Sequence, residues 1–207
     1  MPEARIEIEA EDGCIDALAV WPDGEGRRPP VVVLADRAGL AEAERIARRL
    51  SARGYFALAP DWSARPAEER RADAEAWLDW LADQRRVDDA RVGVIGWGRG
   101  ADLALRAAAW RSERVAAAAA LFGRGFGAVS AGEVAQRINA LVHLGYAADR
   151  PPGPGMAALC AAGVDFETET YGSGDEERLR GRLLDLFDRT LSPPRLELGI
   201  AAAAPPP

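Results

Sequence analysis

Ile6 and Ile8 alternate with Glu7 and Glu9, and Ile15, Ala17, Ala19 and Trp21 alternate again beyond Asp12-Gly13. A period of two marks a strand with one face buried, and Asp-Gly is a hairpin turn signal, so the chain opens on an antiparallel hairpin. Past the Gly/Pro-rich loop of 22–30, the alternation gives way to Val31-Val32-Val33-Leu34, a continuous apolar run. A run with no polar face belongs to a strand covered on both sides, as in a parallel sheet. Further strands are predicted at Tyr55 to Ala59, Val92 to Ile95, Val115 to Leu121, Ala140 to Leu144 and Val164 to Tyr171. Between them the period lengthens to that of a helix. Ala43, Ile46, Ala47 and Leu50 share one helical face, with Gly54 placed to end the helix, and Ala74, Trp77, Leu78 and Leu81 repeat the pattern. A short helix is expected at Met156 to Ala162, and a last one from about Asp175 to Leu191 with Leu179, Leu183, Leu186 and Phe187 inward. Eight strands, the first two a hairpin and the rest alternating with helices, predict a mostly parallel α/β sheet covered on both faces.

Composition narrows the function classes. The 207 residues are 48% apolar, enough for one domain with a sizeable core, expected over 1–191. The stretch 192–207 carries five prolines and an alanine run and is expected to be a poorly ordered tail. No apolar run reaches the ~20 residues of a membrane helix, and Met-Pro-Glu-Ala-Arg at the start has no apolar h-region, so no secretory leader is expected. Two cysteines, Cys14 and Cys160, make no disulfide framework and are expected to pack as small apolar residues, so the expected compartment is cytoplasmic. The net charge of −7 argues against a nucleic-acid surface. The single histidine, His143, rules out a multi-histidine metal site; it sits between Val142 and Leu144, the context of a structural residue. No metal and no cofactor are expected.

The stretch from Arg91 to Ala109 carries the candidate chemistry. An apolar strand (Val92, Val94, Ile95) meets glycines at three alternate positions, Gly96, Gly98 and Gly100, and a strong helix former takes over at Ala101. Strand, very tight turn and helix in this order form a nucleophile elbow in hydrolases, where the apex residue is Ser or Cys. Here the apex is Gly98, which has no side chain. The same glycines match a dinucleotide fingerprint, but four strands precede them and the following strand ends Leu121-Phe122-Gly123 without the acid that fingerprint needs.

With these residues in view the chain resembles the dienelactone hydrolase family of α/β hydrolases, from the first strands to about Leu191. The stretch VVVLADRAGL (31–40) resembles the strand and loop with the family's oxyanion donor, and GYFALAPDW (54–62) is similar to a recurring family segment. VDDARVGVIGWGRGA (87–101) resembles the approach to the elbow, and LVHLGYAAD (141–149) the strand and loop with the acid. The resemblance implies an α/β-hydrolase fold and places the catalytic positions. The family elbow Gly-x-Cys-x-Gly-Gly becomes Gly96-Trp97-Gly98-Arg99-Gly100-Ala101, which puts Gly98 at the nucleophile. Asp149 is nearest to the acid position, one residue late by the commoner spacing. The turn that bears the family histidine becomes Tyr171-Gly172-Ser173-Gly174-Asp175-Glu176, which puts Glu176 at the base. In the first loop a His-Glu or His-Asp pair becomes Ala35-Asp36.

The expected function is therefore that of a family member without nucleophile and histidine, serving as a protein partner or subunit. Two alternatives stay open. One is an active hydrolase of small esters or lactones with a rearranged site, using Cys160, Ser173 or a carboxylate-activated water. The other is a small-anion binder that uses Arg37, Arg99 and the amino end of the elbow helix, where free N–H groups favour negative charge. Asp36, Asp149, Asp175 and Glu176 read as solvated loop carboxylates, with Arg37 and Arg99 as possible ion-pair partners for Asp36 and Glu176. Of the six tryptophans, Trp21, Trp77 and Trp80 suit packing roles. Trp62 and Trp97 fall in loops at the active-site side, as candidates to line a pocket or anchor a partner.

Overall fold

The computed structural model describes residues 1–35, 39–65, 70–88, 90–123, 131–149 and 154–191. The expected tail at 192–207, and Asp36 and Arg37, lie outside the described residues. Eight strands form a single sheet in the order β1-β2-β4-β3-β5-β6-β7-β8. β1 (Glu3–Ala10) and β2 (Gly13–Val20) make the hairpin, turning at Gly13 with φ 124°, and β2 pairs antiparallel with β4 (Phe56–Pro60). From β3 (Pro30–Leu34) through β5 (Val92–Trp97), β6 (Val115–Leu121), β7 (Leu141–Ala147) and β8 (Phe166–Tyr171) the pairing is parallel.

The continuous apolar runs split their residues between two cores. Val31 and Val33 face α1 (Leu40–Ser51) and α6 (Glu176–Leu191), whereas Val32 and Leu34 belong to the core on the other face. That second layer holds α2 (Arg70–Ala82), α3 (Arg99–Trp110), a five-residue α4 (Ala131–Ala135) and α5 (Pro154–Ala162). A strand buried on both faces has no position where a polar side chain reaches water, which is why these runs lack alternation. The expected eight strands and the two helical layers are present.

The differences are local. α4 was not expected, because five residues are too few to display a helical period. Gly54 follows the helix end at Ala52 by two residues, with φ 101°. Cys14 and Cys160 are both exposed rather than packed: Cys14 sits on the outer strand pair opposite Glu9, and Cys160 on the outward side of α5. Trp62 is buried in the core beneath the Arg70 guanidinium, 5.1 Å from its ring. Among the described residues no helix is long and apolar enough to cross a membrane.

Candidate functional site

The turn between β5 and α3 is built from backbone contacts that only glycine permits. A Cβ on Gly96 would lie 2.0 Å from the carbonyl oxygen of Gly100, and one on Gly100 would lie 2.3 Å from that of Leu34. The start of α3 therefore packs directly on the ends of β5 and β3. At the apex, Gly98 has φ 55° and ψ −112°. A side-chain-bearing residue enters this region only under strain, and it is the strained turn of an elbow. The Gly98 amide donates to the Leu121 carbonyl at 2.9 Å, and its own carbonyl accepts from Ala101 at 3.3 Å. The turn is thus fixed without help from a side chain.

Around that apex the structure brings together some of the expected residues and not others. Trp97 is the last residue of β5 and half-buried, rather than a loop residue. Arg99 opens α3 and is exposed; it forms no ion pair with Glu176 among the described residues. Asp149 lies in the exposed turn two residues past β7, and Glu176 is the exposed first residue of α6. Ser173 is exposed in the turn before it. Asp175, just ahead of α6, accepts from the Gly172 amide at 2.7 Å and from Arg178 at 2.8 Å, contacts that hold its carboxyl below the usual range. Asp175 is thus engaged in the turn rather than free. Among the described residues no group of three or more His, Cys, Asp or Glu side chains is placed to hold a metal ion.

His143 is almost wholly buried, and the register fixes where it sits. It pairs through Ala119 with Ile95, so it lies two strands from β5 and three residues short of the apex. Its Nε2 is 3.0 Å from the Tyr171 hydroxyl, which donates to Glu169 at 3.1 Å, and among the described residues its Nδ1 has no partner. Burial lowers its pKa, against the opposing pull of Glu167 and Glu169. This imidazole lies buried beneath α6, against Tyr171 and away from the apex.

Trp97 and Glu176 share a groove of about 750 Å³ that runs between α1 and α6. Ile95 and Trp97 form its floor, with Phe122 and Tyr171 at the carboxyl edge of the sheet. Phe122 has φ 53°, uncommon for a bulky residue, and its ring meets Tyr171 edge to face at 6.2 Å. The groove and its arginines, Arg45, Arg49 and Arg53, were not singled out from the sequence. Arg45 and Arg49 lie one turn apart on α1, a spacing legible in the sequence, and Arg53 follows two residues past its end.

A parallel sheet with this hairpin, two helical layers and a strained turn after β5 defines an α/β-hydrolase fold. The model of the dienelactone hydrolase family matches residues 15–76 and 62–171, and the chain belongs to that family. A Methylorubrum extorquens protein with a provisional carboxymethylenebutenolidase name is 28% identical over 118 residues, which cover 45% of this chain and 40% of that protein. The match thus spans less than half of that relative's length. A Klebsiella pneumoniae structure provisionally named a dienelactone hydrolase superposes with a TM-score of 0.78 at 21% identity, covering 91% of this chain and 98% of that one. A dienelactone hydrolase-like promiscuous phosphotriesterase from metagenomic libraries gives 0.77 at 22% identity with the same coverage. At these identities the structural likeness concerns the fold.

Proposed function

We propose that this chain is a dienelactone hydrolase family member that has lost acyl-transfer chemistry and acts by binding, as a partner or subunit of another protein. The observation that carries the reading is Gly98: the elbow keeps its strained apex, φ 55° and ψ −112°, with no side chain on it. Covalent acyl transfer needs an oxygen or sulfur nucleophile with a base in reach. Gly98 supplies no such atom, and Glu176 stands where the family resemblance places the histidine. The one imidazole is committed to Tyr171 inside the sheet. Cys160 and Ser173 lie on α5 and in the turn before α6, neither of them at the apex.

The test is hydrolysis of small aryl esters and a lactone by the purified chain, beside Gly98→Cys/Glu176→His. The expected result is a wild type indistinguishable from buffer and a double variant that gains turnover. Saturable wild-type turnover, abolished by a single substitution at Cys160, Ser173 or a carboxylate, overturns the proposal.

A further inference from the structure

The groove between α1 and α6 has two unlike ends. Both helices run away from the carboxyl edge of the sheet, since α1 follows β3 and α6 follows β8. The aromatic rings of Trp97, Phe122 and Tyr171 therefore stand at the edge, and Arg49 and Arg53 toward the far end. Between them the walls are apolar: Ile46 and Leu50 from α1, Leu179, Leu183 and Leu184 from α6. Its volume of about 750 Å³ lies within the ~300–1,000 Å³ of small-molecule sites.

The charges along the groove are not equivalent. At the edge, Glu42 is paired with Arg45 and Asp175 with Arg178. Arg49 and Arg53 are exposed and meet no carboxylate among the described residues. Arg180, half-buried on the opposite wall, reaches only Glu177 at 4.0 Å, and that carboxylate is 95% exposed. Most other arginines near this face are engaged: Arg48 with Glu3, Arg178 and Arg182 with Glu169, Arg189 with Glu167. An apolar trough that ends in arginines without carboxylates complements a molecule with an apolar body and an anionic head. The left-handed Phe122 adds to this, because backbone strain is spent to hold its ring at the mouth of the trough.

We propose that this groove binds an amphipathic carboxylate, with its head at Arg49 and Arg53 and its apolar body along Ile46, Ile95 and Leu183 toward Trp97. Guanidinium groups present paired donors that match a carboxylate, and desolvation of the body against the walls supplies the remaining drive. The site is separate from the elbow apex and its occupancy is independent of whether Gly98 is chemically silent.

The test is calorimetric titration of the full chain with octanoate, 1-octanol and acetate. Octanoate is expected to bind saturably at one site and to raise the melting temperature. The alcohol (body without charge) and acetate (head without body) are each expected to bind at least about tenfold more weakly, the loss of one charge-assisted bond or of the buried chain. Arg49→Gln/Arg53→Gln, two exposed positions that leave the fold intact, should weaken octanoate about tenfold or more. Leu184→Trp, which fills the groove from its half-buried wall, should abolish it. No saturable octanoate binding, octanol or acetate equal to octanoate, or binding untouched by the arginine substitutions overturns the proposal. Ester hydrolysis on the same preparations judges the silent elbow separately, so the two readings fail independently.

Discussion

Gly98 holds the apex of the turn in a conformation that a side-chain-bearing residue adopts only under strain. Glycine adopts φ 55° and ψ −112° without the steric penalty other residues meet there. Gly98→Ala is therefore expected to lower stability by about 1–3 kcal/mol, read as a shift in the urea midpoint with an unchanged slope. Gly96→Ala should be worse, since its Cβ would overlap the Gly100 carbonyl at 2.0 Å, where no side chain can move aside. His143 gives a pH signature. Burial lowers its pKa, so between its folded value and the ordinary value near 6.5 the unfolded chain binds the proton and the folded one does not. Its contribution is complete above about pH 6.5 and is lost as the pH falls toward the lowered value. In urea unfolding at pH 7.5 and 5.5, His143→Gln should show a smaller drop than the wild type. Equal drops would assign the acid sensitivity to the carboxylates instead.

At the scale of elements, one buried ion pair ties Arg65 to α2. Asp73 is fully buried, and Arg65 reaches it through three hydrogen bonds of 2.9–3.2 Å while a further nitrogen donates to the Asp12 carbonyl. Asp73→Ala removes the buried carboxylate that accepts three of the Arg65 hydrogen bonds, with an expected loss of about 3–5 kcal/mol in equilibrium unfolding. α6 is held differently. The Tyr55 hydroxyl donates to Asp188, and the Phe187 ring lies so close to β5 that a Cβ on Gly93 would meet it at 2.6 Å. Arg178 and Arg182 fasten the same helix to Glu169 on β8. Gly93→Ala must displace that ring, and should widen the α1–α6 groove before it disturbs the opposite face.

Across the whole molecule, β3, β5 and β6 are buried on both faces, whereas β1 and β8 are edges with exposed positions. Amide exchange should be slowest in those three central strands and fastest in the edge strands. Much of this architecture was legible in the sequence because burial on one face, burial on two faces and a helical stripe leave different periods. The elbow was legible too, since three alternate glycines between a strand and a helix leave the backbone few options. The exposed cysteines and the buried Trp62 were not, because an isolated residue has no period, and its burial depends on which element packs over it.

The sequence alone determined the order of elements, the parallel sheet, the elbow and the lack of a side chain at its apex, all properties of residue type and local spacing. Only the tertiary structure decided which distant side chains meet. His143 and Tyr171 belong to neighbouring strands 28 residues apart, and their bond depends on the β7–β8 register. The groove joins α1 and α6 across more than a hundred residues of chain. The Arg45 and Arg49 pair on α1 is local and can be read from spacing. The apolar wall that faces it, and the carboxylates that fail to reach it, are set by packing between distant segments, which no local pattern encodes.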